Sequence, residues 1–126
     1  MSWCFEDEAR PETDLLLEAL RDRGAVVPPL WYWEVANVLN AAVRRGRIGA
    51  SDVSARLSLL GSLPIAADEE STARAWRETR LLAEAHRLTV YDAAYLELAV
   101  RRGADLATTD AELRSAAAAL GVTLLP

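Results

Sequence analysis

Glu34, Asp92 and Asp110 each follow an apolar or extended-looking run and stand where a helix is predicted to begin, in Trp33-Glu34-Val35-Ala36-Asn37, Val90-Tyr91-Asp92-Ala93-Ala94-Tyr95 and Leu106-Ala107-Thr108-Thr109-Asp110. In an open α/β sheet the carboxyl ends of strands and the starts of the following helices form one rim. Acids that repeat this address can therefore meet in space although they are far apart in the chain. Meeting carboxylates repel one another, and a hard divalent cation with oxygen ligands relieves the repulsion. A Mg²⁺ or Mn²⁺ site is the chemistry this pattern predicts, with Thr108 placed to orient a water beside Asp110.

Each acid also has a plainer explanation. Thr89-Val90-Tyr91-Asp92 fits a capping-box-like pattern, and Thr109-Asp110-Ala111-Glu112 fits one as well. Glu34 would complement a helix dipole. Thr108 has good strand propensity in its own right. The arginines at 44, 45 and 47, and at 101 and 102, would track a phosphate backbone, or would serve only as favourable cations at helix carboxyl ends. Trp31, Tyr32 and Trp33 offer stacking faces for bases, a partner surface, or simple core packing. What favours the metal reading is the joint pattern, and above all Asp92, flanked by Tyr91 and Tyr95 at the margin of an apolar helix where an unpaired charge is costly.

Composition removes several alternatives. The 126 residues suit one domain, here 1–126, and a hydrophobic fraction of 52% argues for a packed core. Polar breaks leave no run long enough to span a bilayer, and Glu6, Asp7 and Glu8 interrupt the short apolar opening, which argues against a secretory signal. The one cysteine, Cys4, excludes an internal disulfide and favours a reducing, cytoplasmic setting. All 14 basic residues are arginines, so Schiff-base chemistry and a phosphate-loop lysine are excluded. A net charge of −5 leaves only local surfaces for a polyanion. His86, near the end of a charged helical stretch, reads as a helix-end residue.

The elements that must position the acids are legible. Pro11-Glu12-Thr13-Asp14 opens a helix that Gly24 stops. Ala25-Val26-Val27-Pro28 reads as a short buried strand ended by Pro28-Pro29. From Trp31, positions Val35, Val38, Leu39, Ala42 and Val43 share a helical face, closed by Arg44-Arg45-Gly46-Arg47. Ser51 is a predicted cap for a helix ending at Gly61, and Leu63 to Ala67 suits an edge strand. A helix from about Glu70 to His86 is predicted to carry Trp76 and Leu82 inward, and another runs from about Val90 to Arg101. Gly103 to Thr108 reads as a strand, Ala111 to Leu120 as a helix, and Gly121 to Leu125 as a last strand. The alternation predicts an α/β fold with a mainly parallel sheet and helices on both faces.

Taken together, the motifs around Glu34, Asp92 and Asp110, with Leu113 following and the closing Leu120-Gly121-Val122, resemble the PIN-domain family and, within it, VapC-type toxins of bacterial toxin–antitoxin pairs. The tyrosine-flanked aspartate is the most specific of them. The resemblance implies a three-layer α/β/α fold and a Mg²⁺-dependent endoribonuclease that cuts structured RNA, works as a homodimer and is neutralised by a small antitoxin protein. By the same resemblance Glu34, Asp92 and Asp110 are the metal-binding, catalytic acids. One departure matters: the family opens with a strand ending in aspartate, whereas Met1-Ser2-Trp3-Cys4-Phe5 is similar to the inside of the helix that follows it. Glu6, Asp7 and Glu8 match the loop beyond that helix. The expectation is a domain lacking its first, central strand and one acid, with two strand edges exposed and activity weakened. The alternative expectation is a catalytically inactive remnant that binds an antitoxin or partner subunit through Trp31, Tyr32 and Trp33.

Overall fold

The computed structural model describes residues 11–125; Cys4 and the acids Glu6, Asp7 and Glu8 lie outside the described residues. Helix α1 (Pro11–Arg23) leads through Gly24 into strand β1 (Ala25–Val27), and helices α2 (Leu30–Arg44) and α3 (Ala50–Ser62) follow before strand β2 (Ile65–Ala67). Helix α4 (Ser71–Arg74) runs through a π-helical turn (Ala75–Thr79) into α5 (Arg80–His86), and α6 (Val90–Arg102) and α7 (Ala111–Ala119) complete the order. The fold is mixed α/β but mostly helical. Its sheet is two parallel strands, with Ala25 opposite Ile65 and Val27 opposite Ala67.

The predicted strands at 103–108 and 121–125 shrink to one parallel bridge, Leu106 to Leu124. The continuous parallel sheet expected from the sequence is therefore two fragments among the described residues. Their hydrogen bonds explain why each stops. Ala25 N–H donates to the Pro64 carbonyl at 2.9 Å and Val27 O accepts from Asp68 N–H at 2.8 Å, so β1 turns those residues to β2. In a parallel ladder alternate residues bond to one side, which leaves the amide and carbonyl of Val26 facing away. Leu106 likewise spends both groups on the other fragment, donating to Thr123 O and accepting from Leu125 N–H, both at 2.9 Å. Asp105 and Ala107 then face the opposite way. Residues 23–27 and 103–108 are walls of one cleft of about 1090 Å³, closed on one side by an Arg23–Asp105 ion pair at 3.3 Å.

Two apolar clusters follow the same division. One gathers Leu20, Val27, Trp31, Val35, Leu39 and Leu60 around the face of α2, as its spacing predicts. The other gathers Leu88, Ala93, Leu96, Leu106, Leu113 and Ala117 between α6, α7 and the bridge. Tyr95 packs against both clusters. Trp76 corrects an expectation: it is 91% exposed, while Thr79 and Ala83 are buried. On a regular helix Trp76 would share their face, but the π turn inserts one extra residue and rotates it outward. Helix α3 starts one residue before the predicted cap Ser51, because the Asp52 carboxylate reaches back to Gly49 N–H at 2.8 Å, and Gly61 lies inside the helix. No helix among the described residues is long and apolar enough to cross a membrane.

Candidate functional site

Asp68, Glu34, Asp92 and Asp110 each stand after a strand or within the first two turns of a helix, and their surroundings divide them. Asp68 directly follows β2 and is buried. It takes Arg101 Nη2 at 2.6 Å, Arg102 Nη2 at 2.9 Å and the Ser71 hydroxyl at 2.6 Å. These partners, Arg101 first, hold its carboxyl far below the ordinary value despite the opposing effect of burial. Arg101 also donates to Glu97 at 2.8 Å and Glu70 at 3.1 Å. The arginines 101 and 102 are thus committed to an internal ion network and do not form a free phosphate-tracking surface. Sequence reasoning missed Asp68; its place after a strand and the adjacent arginine pair at a helix end were the available signals.

Glu34, Asp92 and Asp110 have no arginine partner among the described residues. Asp92 sits in the first turn of α6, where its N–H donates to the Thr89 hydroxyl at 3.1 Å, the cap the sequence predicts. Its carboxyl is raised, first by burial and then by the negative charge of Asp110, against a smaller opposing contribution from Thr89. Asp110 caps α7: its Oδ1 accepts from Leu113 N–H at 2.8 Å. Thr108 Oγ1 accepts from Asp110 N–H at 3.1 Å, while the Thr108 carbonyl accepts from Arg114 at 2.8 Å. Thr108 therefore holds the turn that presents Asp110, and its hydroxyl proton is left to donate.

Glu34, in the second turn of α2, accepts from the hydroxyl of Tyr95, one turn beyond Asp92 on α6. Burial first, then the hydrogen bond and charge of Glu34, then the charge of Asp92, keep the Tyr95 phenol protonated far above its usual range. Glu34, Asp92, Tyr95 and Thr108 all line the cleft between the sheet fragments. The structure thus brings Asp92 and Asp110 into mutual repulsion and ties Glu34 to the same helix through Tyr95. Among the described residues, no three acidic, histidine or cysteine side chains stand close enough together to hold an ion.

The chemistry of the donor set still fits a divalent cation: two hard carboxylates, of which Asp92 is raised by burial and by the charge of Asp110, without the guanidinium that neutralises Asp68. Trp31, expected as either core or stacking surface, is buried, whereas Trp33 is 72% exposed. Tyr32 is half-exposed and meets the Trp31 ring edge-on at 5.1 Å. The three aromatics divide between the alternatives the sequence left open.

Glu34 and Asp92 meet at one cleft of a mixed α/β fold, with Asp110 capping the helix beside it. The chain belongs to the PIN domain family, which it matches over residues 1–119. It is also 38% identical over 81 residues to Ribonuclease VapC3 of Pyrobaculum aerophilum, an alignment covering 64% of this chain and 62% of that protein.

Proposed function

We propose that this chain is a Mg²⁺- or Mn²⁺-dependent endoribonuclease of the VapC type, the toxin half of a toxin–antitoxin pair, with Asp92, Asp110 and Glu34 as its metal-binding and catalytic acids. The observation that carries the reading is the contrast among the acids: Asp68 is neutralised by two arginines, whereas Asp92 and Asp110 repel each other beside a cleft. A bound cation would relieve that repulsion and supply positive charge at a scissile phosphate. The chain's own residues hold the frame. Thr89 and Asp110 cap the helices that present the carboxylates, and Thr108 has a hydroxyl proton to give to a water or phosphate oxygen. The family membership and the ribonuclease name of the relative support RNA as substrate, and the VapC name supports a small antitoxin and a homodimer as partners.

In the same proposal the place between β1 and Leu106 is one that a further parallel strand would fit. The supporting observation is the pair of facing edges, Val26 on one and Asp105 and Ala107 on the other. A strand parallel to both would deliver its carboxyl end toward the acids. The test is cleavage of RNA in Mg²⁺ by the chain and by Asp92→Asn. Activity that needs the cation and falls at least about 100-fold in Asp92→Asn is the expected result; equal activity of the two proteins overturns the assignment.

One observation favours a second reading, a binding module without catalysis. The acids do not close into a three-carboxylate group, while Trp33 and Tyr91 are broadly exposed beside Glu34 and Asp92. Copurification with a small antitoxin, together with no heat on adding Mn²⁺, selects that reading.

A further inference from the structure

Tyr95 stands where the molecule is least continuous. It packs against both apolar clusters, so its ring spans the division between the sheet fragments, and its hydroxyl meets a carboxylate 61 residues away. Nothing in the packing of an aromatic ring requires that hydroxyl; phenylalanine would fill the same space between α2 and α6. A half-buried phenol that donates to an otherwise exposed glutamate also pays the desolvation of its own oxygen. The hydrogen bond therefore has to accomplish something packing does not. It fixes one oxygen of Glu34 and leaves the other as a lone-pair donor. It does so from the helix that carries Asp92, so the two carboxylates are tied to a common support.

We propose that Tyr95 is a positioning residue that orients the Glu34 carboxylate in the cleft it shares with Asp92, so that its free oxygen can take a cation there, an inference that rests on the metal-dependent reading above. Partners that orient metal ligands in this way change metal affinity about 10–100-fold when removed. The hydroxyl, not the ring, is the active part.

The test is Mn²⁺ binding, by calorimetry and by the loss of the free-ion spin-resonance signal, for the wild-type chain, Tyr95→Phe, Glu34→Ala, the double variant and Asp92→Asn, with a melting curve for each. Tyr95→Phe is expected to melt close to wild type yet bind Mn²⁺ about 10-fold more weakly. In the Glu34→Ala background the same change is expected to cost nothing further, because the hydroxyl acts through Glu34. In cleavage assays Tyr95→Phe is expected to need more metal for half-maximal rate and to regain most of the wild-type rate at saturation. Unchanged Mn²⁺ affinity in Tyr95→Phe while Glu34→Ala is weakened overturns the proposal, as does full additivity of the two changes. If wild type and Asp92→Asn bind Mn²⁺ equally, or neither binds it, the metal reading itself has failed and the role of Tyr95 falls with it.

Discussion

Asp68 and Asp92 carry the same functional group, and the protein treats them oppositely. Asp68 is buried with two guanidiniums and a serine hydroxyl around it, and its ionised form is the favoured one. A carboxyl held below its ordinary value of 3.8 contributes stability that is complete at neutral pH. That contribution starts to fall as pH drops toward the unfolded value and continues falling through the folded one, so acid titration should show a loss beginning near pH 4. Asp68→Ala should destabilise the fold by about 3 kcal/mol, leaving the largely buried Arg101 with only Glu97 and Glu70. Asp92 has the opposite sign. Its folded carboxyl is raised, so its charge is a burden above that value, relieved as pH falls. Without added metal, Asp92→Asn should melt at or above the wild-type temperature, and Asp68→Asn well below it. Melting curves at pH 7 and pH 4 check both; a large fall in the melting point of Asp92→Asn would place Asp92 among the structural acids.

At the scale of elements, glycines test the local geometry. Gly24 joins α1 to β1 at φ +73°, and a Cβ there would lie 2.8 Å from the Pro64 carbonyl oxygen, the acceptor of Ala25 N–H. Gly103 closes α6 at φ +62° with open space around it. Both prefer glycine for backbone reasons. Only Gly24 adds a backbone collision, so Gly24→Ala should cost roughly 2–3 kcal/mol and Gly103→Ala about 1 kcal/mol in denaturant titrations. Equal costs would deny the tight approach of α1–β1 to β2. Most helices were legible in advance because 3.6-residue periodicity and caps are local signals, as in the Trp31, Val35, Leu39 stripe and the Thr89 cap. The outward turn of Trp76 was not, since a π turn leaves no periodic trace of its extra residue. Glu34, Asp92 and Asp110 stand out as candidates from their shared position after extended-looking runs, a local signal in the sequence. The neutralised Asp68 escaped the sequence reading altogether, because charge pairing across 33 residues is a tertiary fact. The strands predicted at 103–108 and 121–125 had the right composition, but ladder formation depends on a neighbour, and the described residues supply one only at Leu106 and Leu124.

For the molecule as a whole, the consequence is a protein with two apolar clusters joined by the Tyr95 ring, with the Arg23–Asp105 ion pair across the cleft. The ion pair is solvent-exposed on the arginine side and contributes little. The facing edges at Val26, Asp105 and Ala107 are where an added strand would do most for stability. A peptide of about five alternating Val and Ile residues added in trans is expected to pair with both edges as a parallel strand. About four new backbone hydrogen bonds at roughly 0.5–1.5 kcal/mol each, plus apolar burial, outweigh the ordering of those residues only if both edges are engaged together. The expected outcome is a melting point higher by about 5–15 °C and slowed hydrogen exchange at the amides of Val26, Asp105 and Ala107. Protection on one edge alone would mean that the strand binds outside the cleft. No protection at any of the three would show that the fragments do not flank a common strand position, and the proposed further strand would have to be abandoned.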